Sequence, residues 1–180
     1  MTSAAPSTKP IFNGLIYFGE AAAGDPPNDA HVNLYMGPQS GPVGTALVTA
    51  AATPRAGYIP LATVLRPNVL VKPYTLFVAK TDVRSTRQGD LFYGAAQIGV
   101  ADGIYAAFRE GLFPEEAEDE WCIVASVWMD WAAENDDAVY QNNRQAAYES
   151  SIRGLQRFPD RATLEDAHAH SGNRYYQPKK

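Results

Sequence analysis

Hydrophobic and polar positions alternate most cleanly over residues 30–37, AHVNLYMG. Val32, Leu34 and Met36 fall on one side of an extended chain, and His31, Asn33 and Tyr35 on the other. Such a strand lays one face on a core and leaves the other to solvent, a cleft or a neighbour. A β-rich run at 15–18 precedes it, across the loop Gly24-Asp25-Pro26-Pro27-Asn28-Asp29, whose prolines cannot donate to a ladder. Pro42, directly after Gly41, opens a predicted helix that runs to about residue 52. Past a turn at 53–57 the pattern predicts a strand over 58–65. After the turn Arg66-Pro67-Asn68 it predicts another over 74–81, with Lys80 close to its end.

A helical region is predicted over 87–110. Gly94 and Gly99 weaken its first half, while Ile104, Phe108 and Leu112 keep helical spacing. The acidic run EEAEDE at 115–120, after Pro114, reads as a short solvated helix or turn. Residues 121–129, WCIVASVWM, are the strongest buried-strand candidate, and 137–153 suit a long surface helix with Ala138, Ala146 and Ile152 among its buried positions. The order of elements predicts a mixed α/β (α+β) domain with helices covering one face of a sheet. It divides the chain into a disordered Ser/Thr/Pro/Ala arm at 1–10, a single domain at 11–157 and a loose polar tail at 158–180.

Composition narrows the class. The 180 residues carry 15 basic and 20 acidic side chains, a net charge of −5. One domain of this length buries enough surface to need no metal or disulfide. A hydrophobic share of 46% with 11% aromatics excludes a mainly disordered chain. The acidic excess argues against a nucleic-acid partner. Cys122 stands alone, which excludes an intrachain disulfide and a cysteine-cluster zinc site and fits a reducing compartment. The most apolar run, 121–133, is shorter than a membrane span and interrupted by Asp130, and residues 1–10 lack a signal-peptide core. The cytoplasm is the expected location, with no membrane partner.

The common catalytic and nucleotide-binding motifs are missing. His168 and His170 form a His-x-His pair without a third ligand nearby, so no metal site is expected. His31 follows directly on a Gly/Pro/Asn/Asp loop. It reads either as a surface or interface histidine or as a general acid or base, since a free imidazole titrates near ~6.5. Asn33, on the same strand face, would orient a ligand or the ring. Lys80 would share a face with Asp82, as an exposed ion pair, an anion or carbonyl contact, or a Schiff-base amine. Gln97 lies among small residues that permit close approach, or is a surface glutamine.

Together these residues resemble the formaldehyde-activating enzyme family. The likeness starts at Gly19-Glu20-Ala21 and Gly24-Asp25 and continues through Ala30-His31, Leu34 and Gly37-Pro38. It then takes in Pro67-Asn68, Lys72-Pro73, Thr75-Leu76, Lys80, Gly94, Ala96-Gln97, Gly99-Val100-Ala101, Gly111, Pro114, Ala117, Asp119 and Trp131. It covers roughly residues 11–155. The resemblance implies a fold like the second domain of ribosomal protein S5, a mixed sheet with a left-handed βαβ crossover. It implies a homopentamer with sites between adjacent subunits, and a metal-free lyase of the hydro-lyase type. The implied reaction condenses formaldehyde with tetrahydromethanopterin, a co-substrate and not a covalently bound cofactor, giving the methylene derivative and water. The implied setting is cytoplasmic one-carbon metabolism in methylotrophy. His31 matches the proton-donating histidine, and Asn33, Lys80, Asp82 and Gln97 match positions that contact the pterin.

Four departures accompany the match. Asn33 stands where relatives carry aspartate, Ala62 where they carry leucine, Asp82 where they carry threonine, and Ile98 where a histidine often follows the glutamine. The substitution at Asn33 removes a charge beside His31. Two classes therefore stay open: an active condensing enzyme, or a diverged paralogue that serves as a pterin-binding, formaldehyde-sensing or scaffolding ring with little or no turnover.

Overall fold

Alternation decides the first strand pair. In β1, Tyr17–Ala23, every second residue is buried, and β2, Ala30–Pro38, pairs with it antiparallel so that Tyr17 lies opposite Met36 and Ala23 opposite Ala30. The computed structural model describes residues 12–173 and 175–179. The predicted arm at 1–10 lies outside the described residues.

Strand β7, Trp121–Met129, is the centre of a five-stranded mixed sheet. It runs antiparallel to β2 on one side and parallel to β6, Tyr74–Ala79, on the other. A short edge strand, β3, Leu61–Ala62, completes the order β1-β2-β7-β6-β3. The strand predicted over 58–65 is broken. Pro60 has no N–H for the ladder, and the chain leaves β3 at Thr63 to form a separate ribbon of β4, Val64–Arg66, with β5, Val69–Leu70. The run predicted at 15–18 likewise enters the sheet only at Tyr17.

Parallel neighbours need a crossover, and β6 reaches β7 through a helical stretch. It comprises α2, Thr86–Asp90, one π-helical turn at Leu91–Ala96, and α3, Gln97–Arg109. The acidic run contributes α4, Ala117–Glu120. Helix α5, Asp136–Leu155, starts from Asn135, whose side chain accepts the N–H of Ala138. It packs beside α3 over β1 and β2, burying Val139, Asn143, Ala146, Ala147 and Ser150, while the predicted Ala138 and Ile152 stay half-buried. Gly99 and Gly103 lie on the α3 face that meets α5. A Cβ on either would come within 2.4 Å of the Tyr140 carbonyl oxygen or 2.3 Å of the Arg144 carbonyl oxygen, so the two helices touch backbone to side-chain-free backbone.

The main core lies between those helices and one sheet face: Val32, Leu34, Met36, Phe77, Ile123, Ala125 and Val127 against Leu91, Phe92, Val100, Ile104 and Val139. Helices do not occupy one face alone, as the order of elements had suggested. Leu76, Cys122 and Val124 point the opposite way and are apolar as well, so α1, Pro42–Ala52, covers them with Val43 and Leu47. The tail is not simply loose either. It forms α6, Arg161–Ala169, capped by the Asp160 side chain on the Thr163 N–H, although every residue of that helix lies at the surface or near it. No helix among the described residues is long and apolar enough to cross a membrane.

Candidate functional site on the open sheet face

Helix α1 covers only the end of the outer face near the start of β7. The other end, where β7 carries Ser126 and Trp128, holds the polar residues that the strand parity of β2 had singled out. His31 is the cross-strand neighbour of Ala22 on β1 and Trp128 on β7. Asn33 is the neighbour of Glu20 and Ser126. Lys80 follows directly on β6, held by its N–H to the Val127 carbonyl at 2.7 Å.

These strands converge on one hydrogen-bonded group. Glu20 Oε1 lies 2.6 Å from His31 Nε2, and Lys80 Nζ lies 3.0 Å from His31 Nδ1 and also donates to Asn33 Oδ1. An ammonium at Lys80 requires a lone pair at Nδ1, which places the ring hydrogen on Nε2, pointing to Glu20. Carboxylate, imidazole and amine thus form a line along which a proton can shift. Lys80 is half-buried, and burial lowers its pKa to about 8; attraction to Glu20 works in the other direction and is the smaller effect. Asn33 accepts the lysine's hydrogen bond without supplying a charge, so among these contacts Glu20 is the anion facing the ammonium.

The remaining candidates sit elsewhere. Asp82 does not pair with Lys80. Its carboxylate takes the Arg84 guanidinium at 2.7 Å, and that contact holds the Asp82 pKa below the usual carboxylate range. Arg84 in turn stacks 3.9 Å from the Trp131 ring centre. Gln97 is buried on the other side of the sheet, in the crossover, where its Nε2 donates to the Val64 carbonyl at 2.7 Å. The expected adjacency of Lys80 and Asp82 needs an extended chain, and β6 ends at Ala79.

Glu20 escaped notice as a site residue in the sequence. Its signal is the polar parity of β1, which becomes informative only with the β1–β2 register. Trp128 was hidden in an apolar run for the same reason. His168 and His170 lie at the end of α6, and among the described residues no group of three or more His, Cys, Asp or Glu is placed to hold a metal ion.

Comparison with known proteins identifies the family. The family model of formaldehyde-activating enzyme (Fae) matches residues 18–176, from β1 through the tail beyond α6. The 5,6,7,8-tetrahydromethanopterin hydro-lyase of Methanosarcina barkeri is 38% identical over 149 residues, covering 83% of this chain and 82% of that protein. The bifunctional enzyme Fae/Hps of Methanothrix thermoacetophila and that of Archaeoglobus fulgidus are each 39% identical over 146 residues, 81% of this chain but only 37% of theirs. The chain belongs to the formaldehyde-activating enzyme family.

Proposed function

We propose that this chain condenses formaldehyde with tetrahydromethanopterin to methylene-tetrahydromethanopterin and water, with His31 as the general acid. The observation that carries the reading is the imidazole held between Glu20 and Lys80 on an open sheet face. An amine of the carrier adds to formaldehyde and gives a carbinolamine. Its hydroxyl leaves as water when His31 supplies the Nε2 proton, and the iminium left behind is captured by the second amine. Lys80 refills the ring at Nδ1 and becomes a neutral amine, a form that a pKa of about 8 makes accessible. The proton lost by the capturing amine goes to Nε2 as the ring returns its Nδ1 proton to Lys80, which restores the starting tautomer and the ammonium, so the cycle closes without net proton uptake. Holding two amines and one aldehyde together supplies the rest, because the reaction needs little beyond orientation and one proton.

In the same reading residues 11–157 form the catalytic domain and the β6–α3–β7 unit is the left-handed crossover of a fold like ribosomal protein S5 domain 2. The assembly is a cytoplasmic homopentamer serving one-carbon metabolism in methylotrophy. Its seam runs over the exposed Ile16, Phe18 and Tyr35 and an adjoining apolar groove of about 260 Å³. Asp82 and Gln97, which within one chain bond to Arg84 and to the Val64 carbonyl and not to the His31 group, then contact the carrier from a neighbouring subunit. A second reading, a ring that binds pterin with little turnover, draws on Asn33, which leaves Lys80 without a charged partner on β2.

The test is formaldehyde-dependent methylene-carrier formation with tetrahydromethanopterin and tetrahydrofolate side by side, corrected for the uncatalysed rate. Turnover above background with the methanopterin supports the enzyme. Binding without turnover supports the second reading, and neither binding nor turnover overturns both.

A further inference from the structure

Both ring nitrogens of His31 are engaged, Nδ1 by Lys80 and Nε2 by Glu20. Of the three groups in this line Glu20 is the outermost. Its side chain is 49% exposed against 37% for His31, and Lys80 lies deeper, behind the ring. Strand β1 is an edge of the sheet, and on it Glu20 stands directly opposite Asn33, so the two side chains rise together on the outer face. The root of Glu20 is fixed from the helix side. The Arg153 guanidinium donates to the Glu20 carbonyl at 3.1 Å, and at the preceding Gly19 a Cβ would fall 1.8 Å from the Ser150 carbonyl oxygen of α5. Among the described residues the His31 ring is the only group hydrogen-bonded to the Glu20 carboxylate. Glu20 and His31 border a cavity of about 440 Å³, bounded on the tail side by Asn173 and Tyr175, so the carboxylate is open to a substrate.

We propose that Glu20 is a second catalytic residue, the base that takes the proton from the capturing amine and passes it to His31 Nε2. This rests on the proposed function and divides its two proton transfers between two residues. Asn33 cannot take a proton, and Lys80 meets the ring at Nδ1, on the far side. Among these contacts Glu20 is the base that faces outward. Its partner prepares it for the task. Once His31 has given its Nε2 hydrogen to the departing hydroxyl, an imidazole lone pair and a carboxylate oxygen face each other 2.6 Å apart, two acceptors with no donor between them. A proton on the carboxylate restores a donor to the pair, and the second amine must lose one at that moment. Attack of this amine on the iminium forms the second C–N bond and leaves the nitrogen positively charged. Its N–H bond breaks and an O–H bond forms on Glu20. The proton then moves from Glu20 to Nε2 while the ring returns its Nδ1 proton to Lys80. The carboxylate, imidazole and ammonium of the resting line are restored, and the proton that left in the water is replaced by the one from the amine.

The experiment measures calorimetric affinity for tetrahydromethanopterin and kinetics on the full chain, Glu20→Gln and Glu20→Ala, with and without added formate, each rate corrected for the uncatalysed rate at the same formate concentration. Glu20→Gln keeps the length and an oxygen that accepts from Nε2, so the ring stays oriented, but its amide takes no proton. Its kcat should fall ~10²-fold or more, the scale of one lost base, with affinity for the carrier retained. Glu20→Ala should be equally slow, and formate should restore its rate in a saturable way by placing a carboxylate in the vacated space. The same formate should leave Glu20→Gln slow, because the amide fills that space. A kcat for Glu20→Gln close to that of the full chain, in a chain that itself binds and turns over, overturns this inference: Glu20 then only orients the ring, and the function stands. A loss in Glu20→Gln confined to KM and affinity overturns it too, as does a Glu20→Ala rate that formate does not raise. A full chain that neither binds the carrier nor exceeds background overturns the functional reading, and this inference with it.

Discussion

Lys80 Nζ stands 3.0 Å from His31 Nδ1 across two intervening strand boundaries, so the imidazole meets a cation on one nitrogen and the Glu20 carboxylate on the other. The arrangement fixes the ring's plane and tautomer, with Lys80 donating to Nδ1 and the Nε2 hydrogen pointing to Glu20. His31→Gln keeps a polar side chain of similar reach but removes the acid. The background-corrected rate should fall ~10²-fold or more, while carrier affinity measured by calorimetry persists. A rate equal to that of the unaltered chain would take His31 out of the chemistry.

The relay also sets a pH limit. The ammonium form of Lys80 refills His31, and that form is lost as pH rises through about 8. The rate should therefore decline on the alkaline side of that value. Asn33→Asp places a carboxylate on the atom that already accepts from Nζ. It favours the ammonium and moves the alkaline limb upward. The pH dependence of kcat/KM for the two proteins checks this, and coincident limbs would count against the lysine's role.

Lys80 also marks the stability curve. Its folded pKa of about 8 lies below the 10.5 of the free side chain, so the unfolded chain binds more protons between those values. Stability is penalised in full below about pH 8, and the penalty fades as pH climbs toward 10.5. Lys80→Met removes the charge and keeps the apolar stem. Its melting temperature should exceed that of the unaltered chain at pH 7, with the gap closing by pH 10, while activity is lost. Melting curves across that range are the measurement.

Which parts of this were legible in the sequence follows from the range of the interactions. The parity of residues 30–37 is local, and it placed Val32, Leu34 and Met36 in the core and His31 with Asn33 on the opposite face, as found. The apolar run at 121–129 and the long helix after it were equally plain. Lys80 could be seen as unusual, yet its meeting with His31 depends on β7 lying between β2 and β6, a fact of strand order that no window reveals. Glu20 needed the β1–β2 register. Asp82 was expected beside Lys80 by alternation, but the strand ends first and Arg84 captures the carboxylate. The tail, polar and without periodicity, returns to the site through a turn built on Asn173.

Gly99 shows a signal read in the wrong direction, and Gly103, on the same face of α3, carries the last prediction. Glycine weakens an isolated helix by roughly 1 kcal/mol relative to alanine, so Gly99 counted against α3. The fold uses that absence of a side chain: at Gly103 a Cβ would meet the Arg144 carbonyl oxygen at 2.3 Å and the Ala147 Cβ at 3.0 Å. Both neighbours belong to α5, and neither the carbonyl nor the Cβ is a flexible side-chain end that could turn aside. Gly103→Ala must push α5 away from α3 and, through it, from β1 and β2. The propensity gain is smaller than the ~1–3 kcal/mol typical of overpacking, so the net change should be destabilising. A denaturant midpoint lower than that of the unaltered chain, at similar slope, is the expected result. Gly94, whose added Cβ would meet nothing within 4 Å, is the control: Gly94→Ala should be neutral or stabilising. Equal midpoints for Gly103→Ala and Gly94→Ala would show that the helices are not seated as closely as the glycines suggest.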